Sequence, residues 1–246
     1  MSRWLRWLRR TAMGEVAAVV FDLDGVLIDS EQVWDDVRRV YVAERGGRWA
    51  ADSTSRMMGM STTEWSGYLA ELGVPGSPAD IAAEVLRRVA DRYGSAPPLL
   101  PGAVDAVRAL AALHPLGLAS SSARMLIDLV LAHTGLAGHF AAVVSSEEVA
   151  RGKPAPDVYL EAARRLGVPA ADCVAVEDST NGLRAAAAAG MAVVAVPNPH
   201  FPPDGDALRL ASARVATTAE LTPTVVQAAA DTKRGPRDGR PHRITV

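Results

Sequence analysis

Two aspartates, Asp22 and Asp24, stand one residue apart in the stretch VVFDLDGVLIDSE, residues 19–31, and Asp29 follows five positions later. Carboxylates so closely spaced repel one another unless a cation lies between them. A second acidic pair, Glu177 and Asp178, ends the apolar run CVAVE. A ligand set made only of oxygens selects a hard cation, and Mg²⁺ keeps several waters while using one or two carboxylates plus a substrate phosphate. Ser120 and Ser121 of LASSS and Lys153 of RGKPAPDVYL add hydroxyls and a positive charge. Those groups suit the equatorial oxygens of a phosphoryl group, so the chemistry indicated is metal-assisted phosphoryl transfer.

Such groups must be carried to one place by the chain. The apolar runs VAAVVF (near 17–22), LGLAS (116–120), AAVVS (141–145), CVAVE (173–177) and MAVVAV (191–196) each stop at or near a polar residue. Continuous apolar runs of this length read as strands buried on both faces of a parallel sheet. Helical patterns lie between them, at about 103–113, 123–134, 156–166 and 180–189, with Gly190 placed to terminate the last. In an open parallel sheet the site lies beyond the carboxyl ends of the strands. Asp22, Asp24, Ser120, Lys153, Glu177 and Asp178 all fall at or just after such ends.

From about 27 to 96 the pattern is helical throughout, with no strand. Seventy residues is far more than a crossover requires, so a small helical domain is expected here, with GSAPPLLPG as the return linker. The predicted organisation is a basic extension over 1–13, an α/β core over 14–27 and 97–231, a helical insert over 28–96 and a disordered basic tail over 232–246. Trp34, Met57, Met58, Met60 and Trp65 of the insert either face a substrate or form the insert's own core.

Composition limits the function classes. The chain has 246 residues, 49% apolar and 22% charged, as in globular proteins that bury a full core. The net charge is -2, but basic residues concentrate in both termini and leave the body near -10, a poor general binder of nucleic acid. No apolar run reaches the roughly 20 residues that span a bilayer. The start, MSRWLRWLRRTAM, lacks the apolar stretch and cleavage site of a secretory signal, so a cytoplasmic location is expected. The single Cys173 excludes an intramolecular disulfide and reads as a small buried hydrophobe. The five histidines, His114, His133, His139, His200 and His242, do not fall at metal-ligand spacing.

The four segments FDLDGVL, LASSS, GKPAPDVYL and VAVEDSTNGLRAA together resemble the motifs of the haloacid dehalogenase-like phosphohydrolases, in the capped branch that includes β-phosphoglucomutases and sugar phosphatases. The resemblance runs from about Val16 to Leu221 and implies a Rossmann-like core, helices on both faces and a cap inserted after the first motif. It implies that Asp22 is the nucleophile that forms an aspartyl-phosphate and that Asp24 is the general acid and base. It places Mg²⁺ on Asp22, Asp24 through its backbone carbonyl, and Asp178, with Glu177 as a supporting acid. Ser120 and Lys153 would hold the phosphoryl group, with Ser121 and Asn181 as further donors. The dehalogenases themselves lack the second aspartate, so Asp24 points to phosphate chemistry.

The expected function is hydrolysis of a small phosphorylated metabolite, a sugar or polyol phosphate, by a monomeric Mg²⁺-dependent phosphatase. The alternatives are a β-phosphoglucomutase-type isomerase and a phosphate-binding protein without catalysis. The mutases resemble this chain in GMSTTEW but carry Arg where Thr62 stands and His where Trp34 stands, which favours hydrolysis. The complete set of Asp22, Asp24, Ser120, Lys153 and Asp178 disfavours the binding protein.

Overall fold

The computed structural model describes residues 15–58, 60–94 and 96–235. The expected basic extension over 1–13 and residues 236–246 of the expected tail lie outside the described residues.

Six parallel strands form one sheet: β1 (Ala18–Phe21), β2 (Leu116–Ser120), β3 (Phe140–Ser145), β4 (Cys173–Glu177), β5 (Ala192–Ala195) and β6 (Ala213–Arg214), in the order β3-β2-β1-β4-β5-β6. Chain order reverses at β1, between β2 and β4, which is where a parallel sheet opens a crevice for a site. Alternate residues of each strand enter opposite faces. Val19, Phe21, Leu118, Val174, Val176 and Val194 pack into one apolar layer, and Ala18, Val20, Ala119, Cys173, Ala175 and Val193 into the other. Cys173 is buried as expected, and that burial pushes its thiol pKa up to about 12, so it stays an unreactive hydrophobe.

Helices α5 (Ala103–Ala111), α6 (Arg124–Thr134) and α10 (Pro223–Arg234) contribute Val107, Leu110, Ile127, Val130 and Val226 to the first layer. Helices α7 (Asp157–Leu166) and α8 (Thr180–Ala188) cover the second with Val158, Tyr159, Leu183 and Ala186, and the short α9 (Gly205–Leu208) adds Ala207. Gly190 follows α8 with φ +81, as its position predicted. Two elements differ from the sequence expectation. The two-residue strand β6 is too short to show a pattern. Thr232–Arg234, expected in the disordered tail, close α10, whose start is set by Thr222 accepting from the Val225 amide and by Pro223 in the first turn.

The insert contains α1 (Glu31–Glu44), α2 (Ser53–Met57), α3 (Thr62–Glu71) and α4 (Pro78–Tyr93). In α1 the buried residues are Trp34, Val37, Arg38, Tyr41 and Val42, an i, i+3, i+4, i+7, i+8 stripe. One of the five is a charged residue. The stripe packs on α4, which presents Ile81, Val85, Leu86 and Val89. The two chain crossings between insert and sheet domain lie side by side: the Asp29 amide donates to the Pro98 carbonyl at 2.7 Å and the Leu100 amide to the Leu27 carbonyl at 2.9 Å. Among the described residues, no helix is long and apolar enough to cross a membrane.

Candidate active site

The floor of the site is built at the carboxyl ends of β1 and β4. The Asp22 amide donates to the Val176 carbonyl at 3.0 Å, continuing the β1–β4 ladder by one residue and fixing Asp22 beside Glu177. Lys153, carried in on the loop before α7, lies between them, its Nζ 2.9 Å from Asp22 Oδ1 and 2.6 Å from Glu177 Oε1. All three side chains are buried. Burial alone would push the lysine pKa down, but Asp22 and Glu177 more than offset it and hold the ammonium above its ordinary value.

Glu177, expected as a supporting acid of the metal site, is engaged on both oxygens by protein donors. Its Oε1 accepts from Lys153 and from the Tyr159 hydroxyl at 2.7 Å. Its Oε2 accepts from the Asp178 amide, the Ser179 amide and the Ser179 hydroxyl at 3.0–3.2 Å. A carboxylate offers about four lone pairs, so Glu177 has none left for a cation. It anchors Lys153 and the loop carrying Asp178. The anchor depends on Gly182, since a Cβ there would lie 1.8 Å from Glu177 Oε1.

Asp22 and Asp178 remain to hold a cation. With Glu177 they place carboxylate oxygens within 4.8 Å of one another. Asp178 Oδ2 is buried without a hydrogen-bond partner, and the buried Asp22 Oδ1 is paired with the Lys153 ammonium at 2.9 Å. Burial and then, for Asp178, the neighbouring Glu177 and Asp22 push this carboxyl well above its ordinary pKa, while burial raises Asp22 against the opposing pull of Lys153. Two desolvated acids, one with an unpartnered oxygen, fit a hard cation. Gly25 makes the approach possible: it has φ +73, and a Cβ on it would meet Asp178 Oδ2 at 1.9 Å.

The Asp24 side chain points elsewhere. Its Oδ1 accepts from Ser30 at 2.6 Å, and its Oδ2 from Ser122 at 2.6 Å and Ser120 at 3.3 Å. Three hydroxyls thus fix one carboxylate, and its expected link to the metal is left to the backbone carbonyl. Ser120, expected to hold phosphate, is fully buried, and its Oγ also accepts from the Ser122 amide at 3.0 Å. It supports the Asp24 loop, while Ser121 and Ser122 line the cleft above the aspartates. Asn181, expected as a phosphate donor, instead gives its Nδ2 hydrogen to the Met58 carbonyl at 3.3 Å, tying α8 to the insert.

The insert forms the opposite wall with Trp34, Met57, Met58, Met60, Trp65, Glu31 and Arg38. The two roles weighed for the aromatic and methionine residues coexist, because Trp34, Met57 and Trp65 are core members of which one edge faces the cleft. Sequence reasoning missed Glu31, Arg38, Ser30, Ser122 and Ser179. The helical spacing of Arg38 with Trp34, Val37 and Tyr41 was the signal that would have found it. The other four lie beside motif residues and differ in nothing visible from ordinary cap or turn residues.

Comparison with known proteins agrees with this arrangement. The chain is 34% identical over 215 residues to hexitol phosphatase B of Escherichia coli K12, covering 85% of this chain and 95% of that protein. It is 35% identical over 188 residues to a bifunctional riboflavin kinase/FMN phosphatase of Arabidopsis thaliana, and the match takes in only 48% of that longer protein and 74% of this chain. Its fold is similar to that of β-phosphoglucomutase from Clostridium difficile, with TM-score 0.75 and 24% identity over 87% of this chain and 97% of that one. A model of the haloacid dehalogenase-like hydrolases matches residues 16–190, which contain Asp22, Asp24, Ser120, Lys153, Glu177 and Asp178. The chain belongs to the haloacid dehalogenase-like hydrolase family.

Proposed function

We propose that this protein is a Mg²⁺-dependent phosphatase that hydrolyses a small sugar or polyol phosphate through an aspartyl-phosphate on Asp22. The observation that carries the reading is the division of labour between the two aspartates of FDLDG. Asp22 lies at the floor of the cleft with Lys153 Nζ 2.9 Å from its Oδ1, which positions the carboxylate as a nucleophile for phosphorus, and Asp24 is held apart from it by three hydroxyls.

Asp22 attacks phosphorus and the leaving alkoxide takes a proton from Asp24, whose carboxylate then accepts a proton from the water that opens the acyl phosphate. Lys153 and the Ser121 region receive the negative oxygens of the transferred group. Asp22 and Asp178 would hold Mg²⁺, which supplies charge neutralisation at the phosphoryl oxygens. The four-helix insert acts as the cap that excludes water and reads the leaving group. Hexitol phosphatase B, similar over 95% of its length, supports a polyol or sugar as that group. Trp34 packed on Trp65, and Thr62 where the mutases carry Arg, support hydrolysis over isomerisation.

The test is phosphate release from hexose, pentose, polyol, nucleotide and glycolate phosphates, with Mg²⁺ and with a chelator. Chelator-sensitive release concentrated on hexose or polyol phosphates is expected. Equal rates on all classes would remove the sugar assignment, and no release would remove the phosphatase. In Asp22→Asn, turnover falls by about 10³-fold or more while the melting temperature does not fall.

A further inference from the structure

Arg38 is the part of the cleft that the phosphoryl chemistry leaves unused. It is 9% exposed, on the inner stripe of α1. Its guanidinium carbon lies 4.4 Å from the ring centroid of Trp34 and 4.9 Å from that of Trp65, so the group packs against both indoles of this edge-to-face pair. Among the described residues Arg38 has no hydrogen bond and no ion pair, and its Nε is buried without a partner. Glu31, Asp24 and Asp35 attract it from a distance, yet burial pushes its pKa down to about 10. Glu31 lines the same cleft, and burial pushes its carboxyl up to about 7, so it does not compensate Arg38 as a fully ionised contact would.

An unpaired buried cation is strongly destabilising, and cation–π contacts return only part of that cost. A neutral hydroxyl would satisfy a donor without neutralising the charge. A planar guanidinium edge matches a carboxylate or phosphate, which accepts two parallel hydrogen bonds. Lys153 already serves the core wall of the cleft, and Arg38 supplies a cation on the insert wall. Thr62, which stands where the mutases carry Arg, therefore does not leave the insert without positive charge.

We propose that Arg38 is a specificity residue that binds a second anionic group, a carboxylate or a phosphate, at the far end of the phosphorylated substrate. This rests on the phosphatase reading and narrows its substrate class to sugar-acid phosphates or sugar bisphosphates. The doubly anionic substrate spans the two walls, with one end at Lys153 and the other at the Arg38 guanidinium.

The experiment compares kcat/KM of the wild type, Arg38→Gln and Arg38→Met on sorbitol 6-phosphate, 6-phosphogluconate and fructose 1,6-bisphosphate. The wild type is expected to prefer 6-phosphogluconate or the bisphosphate over sorbitol 6-phosphate by about tenfold or more, and the preferred one identifies carboxylate or phosphate. Both variants should lose about 30-fold or more on that substrate beyond their loss on sorbitol 6-phosphate, chiefly in KM. Arg38→Met keeps an apolar stem against the indoles, so a loss seen with Gln but absent with Met would be a packing effect and would overturn the proposal. A wild-type preference for sorbitol 6-phosphate, or equal losses on all three, would also overturn it. If no substrate releases phosphate, the phosphatase reading fails by itself. Calorimetric binding of 6-phosphogluconate and the bisphosphate then decides, with Arg38-dependent affinity upholding the anion site and equal affinity in Arg38→Gln rejecting it.

Discussion

Gly182→Ala is a perturbation whose sign depends on the Glu177 anchor. Gly182 lies in the first turn of α8, and its φ is not positive, so helix propensity alone predicts that alanine stabilises the protein by about 1 kcal/mol. The structure predicts the opposite. The added Cβ would fall 1.8 Å from Glu177 Oε1, 1.9 Å from Cδ and 2.0 Å from Oε2, distances that no side-chain adjustment of a few tenths of an ångström relieves. Glu177 must leave its place, and with it go the contacts to Lys153, Tyr159 and the Asp178 and Ser179 amides. Breaking a buried ion pair costs about 3–5 kcal/mol, which for a chain of this size lowers the melting temperature by about 6–20 °C. Lys153 would also lose the partner that holds it against Asp22, so kcat should fall with the stability. Calorimetric melting and phosphate release measure the two effects. Glu177→Asp, one methylene shorter, should recover part of the loss when combined with Gly182→Ala, in a double-mutant cycle with favourable coupling. A Gly182→Ala protein that melts at or above the wild-type temperature, with unaltered turnover, would refute the anchor.

The metal makes its own pH-dependent prediction. Burial raises the Asp22 and Asp178 pKa values, so the folded metal-free protein holds protons more tightly than the unfolded chain, and stability is lost as pH rises above the ordinary carboxylate range. Mg²⁺ competes with those protons, so its stabilisation should be larger at pH 8 than at pH 5. At a hundredfold excess over Kd it amounts to about 2.7 kcal/mol, or about 5–10 °C by scanning calorimetry; a larger Mg²⁺ effect at pH 5 would contradict the assignment. Ser122→Ala removes the 2.6 Å hydrogen bond to Asp24 Oδ2 and should lower kcat by about 10- to 100-fold with KM little changed, measured on the best substrate from the panel.

The short-range pattern of the chain was enough for five of the six strands, for the helical insert and for the polar residues at the strand ends. Buried parallel strands must be apolar throughout and must end in polar residues at the same edge, so Asp22, Ser120, Glu177 and Asp178 announced themselves by position. The tertiary structure decided which atoms of these residues are free. Glu177 and Asp178 are neighbours of the same charge, and only the approach of Lys153, Tyr159 and Gly182 makes one an anchor and leaves the other an open oxygen. Ser120 is likewise committed to Asp24, and Asn181 to Met58, by contacts between segments far apart in the chain. Arg38 was hidden for a related reason. In sequence it is one arginine of the pair Arg38–Arg39 on an amphipathic helix, and the helical spacing that marks it as the inner member does not say which groups it meets. The packing of α1 against α3 and α4 turns Arg38 inward against Trp34 and Trp65, because a helix has one inner stripe and Arg38 falls on it. Sequence periodicity determines which elements form and where they end; hydrogen-bond saturation and burial, which set chemical role, arise only when distant elements meet.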